Sequence, residues 1–512
     1  MNKNTLLLLL VIVVCAVGIR VADHVRTNYW SSPDTTAYSM NGAKLAETGT
    51  YGWARDYNFR TAGPVLFPLV IAGVLTIVPG AEPFLVAKCL SATFGVLAVI
   101  LAFWFVRRAT YDSHALIAAG IMAVYTDLLV ASATGTTETF MVCLVLGVAL
   151  CMTYYESVKA ALLAGVLVAC AVMLRSEGLL LLIVPVIVVL LRWLMGEERS
   201  ASKSFGLTLV AFVIVMTPYA SFLMNEGAGP LGDRSLLQAT QLRGAVGVES
   251  DVVAYGLNNE STSVNNARRD TTSMVSLWLT NPIGELQSYG KEWVLQATYL
   301  IIIGGALFAF VLLVAFFPTR PNKDECLVTS YALLIFAVVL LFVYPALFSS
   351  QRYMMLPCIV LFVASFSFIT RVPKNWLLAA VIVSVVLIGV RDVRYGLRDV
   401  PGHEEAREVG EWIATQCDGH YSCVVMSHSA WPAYHARQEH LPLPYANNSE
   451  IMAYARHHNA TFIVIERRVL DEWSIIEDLW RLNEEKGVWT SYESNTIPRV
   501  RVFTLNNKGD VR

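Results

Sequence analysis

The stretch Gly63-Pro-Val-Leu-Phe-Pro-Leu-Val-Ile-Ala-Gly-Val-Leu-Thr-Ile-Val78 decides how this chain is threaded through a membrane. It is apolar, but Pro64 and Pro68 interrupt it. If it crossed, Arg107 and Arg108 would fall outside, and every later basic loop would flip with them. If it only lies on or dips into the outer leaflet, the basic loops Arg107/Arg108, Lys159, Arg192/Arg199/Lys203, Arg320/Lys323 and Arg371/Lys374 all face the cytoplasm. The positive-inside rule selects the second arrangement.

Working outward, the composition demands a membrane. Of 512 residues, 55% are hydrophobic and 15% charged, where soluble domains carry about 25% charge. A mean hydropathy of +0.53 excludes a purely soluble enzyme and a disordered chain. The net charge of -2 offers no field for polyanions, so nucleic acid is excluded as a partner. No C-x-x-C metal spacing occurs among the nine cysteines.

Thr5–Ala22 follows Lys3 and has no convincing cleavage site, so it is expected to be an uncleaved anchor with its N-terminus in the cytoplasm. Further apolar stretches lie near 83–106, 114–131, 138–154, 160–174, 178–194, 205–222, 298–317, 327–347, 354–370 and 375–390, for about eleven transmembrane helices. Residues 1–390 thus form a polytopic α-helical domain, with outer loops at 23–82 and 223–297. Residues 391–512 form an extracytoplasmic α/β domain. Its pattern predicts helices at His403–Thr415, Met452–His458 and Leu470–Glu485, and strands at Cys423–Ser427, Thr461–Glu466 and Val500–Leu505. Seven cysteines lie in or beside spans as apolar fillers, whereas Cys417 and Cys423 flank a turn on the oxidising side. The sequence predicts a disulfide between those two.

Ionisable residues inside or at the lip of spanning helices mark function by default, because burying them is costly. This topology gathers several on one face. Asp34 lies just beyond the first helix, Glu138 at the outer start of the fourth, and Arg175 and Glu177 in the turn between the fifth and sixth. Arg352 and Tyr353 begin the tenth, and Arg60 and Lys88 bracket the non-spanning stretch. The bland alternatives are that Asp34 caps a helix at Ala37–Glu47, that Glu138 serves a helix dipole, and that Arg175 and Glu177 merely pair.

At these residues the chain resembles the GT-C glycosyltransferases, specifically the protein mannosyltransferase and aminoarabinose transferase superfamily (family 39/83-like). Pro33-Asp-Thr-Thr-Ala-Tyr38 with Ala43-Lys-Leu-Ala-Glu-Thr-Gly49 is similar to that family's first outer loop. Thr61–Ala72 is similar to its Pro-rich interfacial helix, and Thr136-Thr-Glu-Thr-Phe140 to its Ser-Glu-Pro-Leu-Phe helix start. Leu174-Arg-Ser-Glu-Gly-Leu-Leu180 is similar to its Thr-Arg-Pro-Glu-Gly-Leu-Leu turn, and Gln351-Arg-Tyr-Met-Met-Leu-Pro357 to its Arg-Tyr-Leu-Leu-Pro helix. The chain departs where many members carry a second acid, since Thr35 follows Asp34.

The resemblance implies inverting transfer of a sugar, hexose or pentose, from a polyprenyl-phosphate donor to a lipid, glycan or protein acceptor at the outer membrane face. Asp34 is then the base for the acceptor hydroxyl. Arg60, Arg352 and Lys88 are candidates to hold the donor phosphate, and Tyr38, Glu138, Arg175, Glu177 and Tyr353 to support the sugar. The sequence establishes no cofactor. A divalent cation is compatible with such chemistry, although one loop acid makes a poor lone ligand. Two alternatives remain open: a non-catalytic binding or assembly subunit, and a transporter of glycolipid. The latter expects internal repeats, which the sequence lacks. An oligosaccharyltransferase would carry a WWDYG-like segment in its tail, and none occurs.

Overall fold

The computed structural model describes residues 2–26, 33–53, 65–154, 157–186, 198–225, 403–443, 448–466, 491–493 and 500–505, with the single positions 359 and 362. The expected outer loop 223–297, the spans at 298–317, 327–347 and 375–390, and the helix at Leu470–Glu485 lie outside the described residues, apart from 223–225. So do Arg60, Arg352, Tyr353 and the side chain of Glu177.

The membrane domain opens with α1 (Lys3–Arg26), followed by α2 (Pro33–Thr48), α3 (Leu66–Ile77) and α4 (Pro83–Ala109). Then come α5 (Asp112–Val124), α6 (Thr126–Thr134), α7 (Glu138–Thr153), α8 (Val158–Leu174), a 3₁₀ segment (Ser176–Leu182) and α9 (Glu198–Asn225). Among the described residues three helices are long and apolar enough to cross a membrane, or four if α5 and α6 form one bent span. The α7 helix is buried on nearly every side, which places it at the centre of the bundle. Gly165 lets α8 and α9 cross closely, since a Cβ there would lie 2.2 Å from the Thr208 carbonyl oxygen.

The α3 helix covers 66–77 of the Pro-interrupted stretch. Its 12 residues span about 18 Å, well short of the hydrocarbon core. It packs under α2, where Tyr38 meets Phe67 edge-on at 5.8 Å. Gly42 permits this approach, because a Cβ would fall 2.6 Å from Ile71 Cγ2. At the opposite end of the bundle, Thr5 Oγ1 donates to Asp112 Oδ2 at 3.0 Å, and Asp112 pairs with Arg107 at 2.7 Å. The start of α1 and the α4–α5 turn therefore share one end, as expected if α3 does not cross. A cysteine placed at the exposed Pro79 is expected to react with a membrane-impermeant maleimide from outside the cell. Labelling only after permeabilisation would overturn this.

The stretch expected as one span at 114–131 is instead two helices bent by 51°. Tyr125 is extended at the break (φ -66°, ψ 115°) and is itself buried. The break frees backbone carbonyls inside the bundle, and such groups need partners in a membrane. Arg20, 1% exposed in the middle of the fold, serves one of them, that of Ala123. It donates to the Ala123 and Gly95 carbonyls and to Ser132 Oγ. Gly95 makes room, since a Cβ would sit 2.7 Å from Arg20 Nε. Hydropathy alone does not reveal this break, because the residue that stabilises it lies on another helix.

The tail is a five-stranded sheet in the order β2-β1-β3-β5-β4. Its elements are α10 (His403–Gln416), β1 (Val424–Ser427), α11 (Trp431–Ala436), β2 (Glu439–Pro442), α12 (Asn448–His457), β3 (Phe462–Glu466), β4 (Ser491–Glu493) and β5 (Val500–Thr504). The strands β2, β1 and β3 run parallel, and β5 and β4 are antiparallel additions. The elements α11, β2 and β4 add to those expected. They are too short for a periodic pattern to announce them.

Alternation along the strands splits the core into two faces. Val424, Met426, Ile463 and Ile465 pack with Ile451 and Tyr454 of α12. Val425, Phe462, Val464 and Val502 pack with Val409 and Ile413 of α10, and also with Ala37, Met40 and Trp53 of the first outer loop. The second face is thus completed by the membrane domain.

Cys417 and Cys423 are joined by a disulfide with their Cα atoms 6.1 Å apart, tying the end of α10 to the start of β1. Replacing both with Ser is expected to lower tail stability by about 2 kcal/mol, the loop-closure value for so short a ring. Thermal melts of the tail signal with and without reductant check this.

Candidate active site

The first turn of α2 opens with Pro33 at the start and Asp34 next to it. Proline suits a first helical position because its missing N–H would have no partner there. The helix begins earlier than the Ala37 expected, so Asp34 lies within the first turn and not ahead of it. A carboxylate at this position is favoured by the helix dipole. Asp34 is partly buried, whereas Thr35 and Thr36 beside it are fully so.

Thr35 fixes this end of the helix. Its hydroxyl donates to the Thr134 carbonyl at 2.7 Å. Gly135, with φ +73°, ends α6 in the left-handed conformation that glycine adopts without strain. A Cβ at Gly135 would lie 2.8 Å from Thr35 Cγ2 and 3.3 Å from Lys88 Cγ. Three chain segments therefore meet at one glycine: the Asp34 turn, the first turns of α4 and the α6–α7 corner. Ser91, one turn beyond Lys88, donates to the Thr136 carbonyl at 2.6 Å and ties α4 to the same corner.

Lys88 is 2% exposed, with its ammonium 4.9 Å from the centre of the Phe84 ring. Glu138 starts α7 and is 8% exposed. Its Oε1 accepts from Arg175 Nη1 at 3.2 Å, so Arg175 pairs across helices with Glu138. Arg175 stands at the end of α8, where its own N–H closes the last turn on the Ala171 carbonyl. Tyr38 is buried against Phe67, one turn along α2 from Asp34. The structure thus gathers Asp34, Lys88 and the Glu138–Arg175 pair around the Gly135 corner. Thr35, Ser91 and Gly135 were not singled out in the sequence, and Gly135-Thr-Thr-Glu138 is the one local signal that could have raised them.

The far end of α2 reaches the tail. Lys44 Nζ lies 2.6 Å from Glu439 Oε1, with both side chains 12% exposed. Asn41 Oδ1 accepts the N–H groups of Gly52 and Trp53 at 3.1 and 2.8 Å, folding the loop back along the helix. Trp53 is fully buried, donates its indole N–H to the Gln438 carbonyl and stacks on His440 at 5.5 Å. Burial pushes the His440 imidazole down to about 4, so the ring is neutral where it stacks. Glu82, which caps α4, accepts from the Tyr434 hydroxyl. Burial first, and then Glu82, push that hydroxyl far above the ordinary tyrosine range.

The chain carries a helix with an acid in its first turn on a bundle of apolar helices, packed against an α/β tail, and its fold is that of the GT-C membrane glycosyltransferases. The oligosaccharyltransferase of Archaeoglobus fulgidus in its apo form matches with a TM-score of 0.61 at 11% identity, over 98% of this chain and 74% of that one. The same protein in complex with an inhibitory peptide and a dolichol-phosphate gives 0.59 at 12%, over 99% and 75%. The arabinofuranosyltransferase AftD from Mycobacteria gives 0.50 at 14%, over 96% of this chain and 41% of that one. Within the GT-C group, residues 62–222 match the family described as dolichyl-phosphate-mannose-protein mannosyltransferase. That segment includes α3, Lys88, Glu138 and Arg175. No curated protein matches by sequence.

Proposed function

We propose that this protein transfers a hexose or pentose from a polyprenyl-phosphate donor to an acceptor hydroxyl at the outer membrane interface, with Asp34 as the base. The observation that carries it is the convergence of the Asp34 turn, Lys88 and the Glu138–Arg175 pair on the Gly135 corner. The match of residues 62–222 to a lipid-phosphate-dependent mannosyltransferase family supports it. So does the dolichol-phosphate bound to the archaeal neighbour.

In one displacement the acceptor oxygen attacks the anomeric carbon, and its proton passes to the Asp34 carboxylate. The bond from that carbon to the phosphate oxygen breaks, and its electrons leave with the polyprenyl phosphate. A single displacement inverts the anomeric centre. Negative charge grows on the leaving phosphate, and cations held in a dry site stabilise it without reorganising. Lys88 is such a cation, already desolvated beneath Phe84. Arg60 and Arg352 complete the phosphate clamp in this reading. The Glu138–Arg175 pair braces the wall against which the sugar rests. The tail meets α2 and the start of α4, at the end of the bundle away from Thr5 and Arg107. This supports placing the first loop and the tail together on the extracytoplasmic side of the cell membrane.

The test is to incubate the purified protein with polyprenyl-phosphate-linked hexoses and pentoses and measure released polyprenyl phosphate together with the glycosylated product. Release with none of them, and no lipid phosphate in mass spectra of the purified protein, would overturn the reading. Arg352→Ala is expected to weaken donor binding about 10-fold or more. Arg352→Lys should restore it only in part, because the bidentate contact is lost. Arg60→Ala should behave alike. Donor binding equal to wild type in titrations would remove these two residues from the site.

A further inference from the structure

The Asp34 helix is held from two sides. Its first turn is anchored in the membrane domain through Thr35, and its last turns are gripped by the tail. The grip has three parts. The first is the Lys44–Glu439 ion pair, drawn out of water on both sides, with Lys44 also donating to the Gly52 carbonyl at 3.2 Å. The second is Trp53, folded back onto α2 by Asn41 and inserted between the sheet and the helix against His440. The third is apolar: Ala37 and Met40 lie in the same cluster as Val425, Phe462 and Val464. Glu439 and His440 are consecutive residues of β2, at the edge of the sheet, paired with Val424 and Val425 of β1.

We propose that the tail is a positioning clamp for the Asp34 helix, with Lys44, Trp53, Glu439 and His440 as positioning residues that set where the Asp34 carboxylate stands. The proposal rests on the reading of Asp34 as the base. None of the four touches the reacting atoms. They act through α2, whose first turn lies about 15 Å along the axis from Lys44. A rigid helix turns a small shift at the gripped end into a comparable shift at the other. Displacements of about 1 Å at a reacting group cost about 100-fold in rate. Cutting a desolvated ion pair from one side destabilises the contact strongly, so the grip loosens. The donor phosphate is held by groups outside α2, so loosening should act on turnover and leave donor affinity alone.

The experiment compares wild type, Glu439→Gln, Lys44→Met and the charge swap Lys44→Glu/Glu439→Lys as full-length proteins in nanodiscs. Two readouts are taken: sugar transfer, and hydrogen exchange of the α2 amides, which needs no substrate. Each single variant is expected to lower kcat about 10-fold, with the donor KM changing less than about 2-fold. Exchange in α2 should rise while α4 and α7 stay protected, and the swap should recover most of both. Unchanged α2 exchange in the single variants, or a loss of kcat and KM together with global melting that the swap does not reverse, would overturn the clamp. If the single variants loosen α2 and the swap restores it, but wild type transfers no sugar from any donor, the clamp stands and the proposed reaction falls. If transfer is robust and the single variants change neither readout, the reaction stands and the clamp falls.

Discussion

Asp34→Asn is expected to abolish most sugar transfer, lowering kcat by about 100- to 10,000-fold, the range that a positioned general base contributes. Asparagine keeps the size and hydrogen-bonding reach of the side chain but cannot accept the acceptor's proton. The helix should be untouched. Thr35 still donates to the Thr134 carbonyl, and Gly135 still packs against it. Asparagine is also tolerated near a helix start, so the local cost is small. Equal expression, equal melting temperature and retained donor binding, alongside lost turnover, are the expected signature. A variant that keeps more than a tenth of wild-type turnover would transfer the role of base to another group. The bland alternative makes a different prediction: if Asp34 only complements the helix dipole, the change costs well under about 1 kcal/mol of stability and leaves the rate intact.

The second large effect concerns Arg175. Its guanidinium is the cation 3.2 Å from Glu138 Oε1, and the two side chains are 17% and 9% exposed. Arg175→Ala leaves a carboxylate among apolar helices, a change that costs about 3–5 kcal/mol when a buried pair is broken from one side. The double variant Glu138→Gln/Arg175→Met removes both charges and should recover much of that stability, since the desolvation penalty disappears with them. Turnover separates structure from function. If the pair is only a strut, the double variant regains activity along with its melting temperature. If the pair also braces the sugar, stability returns and transfer does not. Melting in detergent and transfer assays on the same preparations give both numbers. A melting temperature for Arg175→Ala equal to that of wild type would show that the pair is not the one holding the start of α7 to the end of α8.

How much of this was legible beforehand depends on the range of the interactions. The Pro-interrupted α3 was legible as a separate segment because its prolines are a local signal, and the long α4 was legible from its apolar run. The strands at Val424, Phe462 and Val500 were legible because each is a short run of buried β-branched and aromatic residues. The break at Tyr125 was not, since neither glycine nor proline marks it and its Ala123 carbonyl is served by Arg20 from α1. Arg20 itself reads as an ordinary charge near a helix end, and only packing reveals that it is buried. The start of α2 was placed too late because Pro33-Asp-Thr-Thr has low helix propensity. Its backbone is held helical by its tertiary neighbours.

The site divides in the same way. By itself the sequence determined that this is a multi-pass membrane protein, and it set the expectations that α3 does not cross and that scarce acids and cations share one face. Those conclusions follow from free energies of transfer and from loop charge, which act residue by residue. Only the tertiary structure decided which of those charges meet. It pairs Arg175 with Glu138, 37 positions apart, and brings Lys44 to Glu439 across 395. It also seats Trp53 in the core of the tail, where it completes the second face of the sheet together with α10. Pairings at that range depend on the closed shape of the whole chain, because a side chain takes the partner that desolvation leaves within reach.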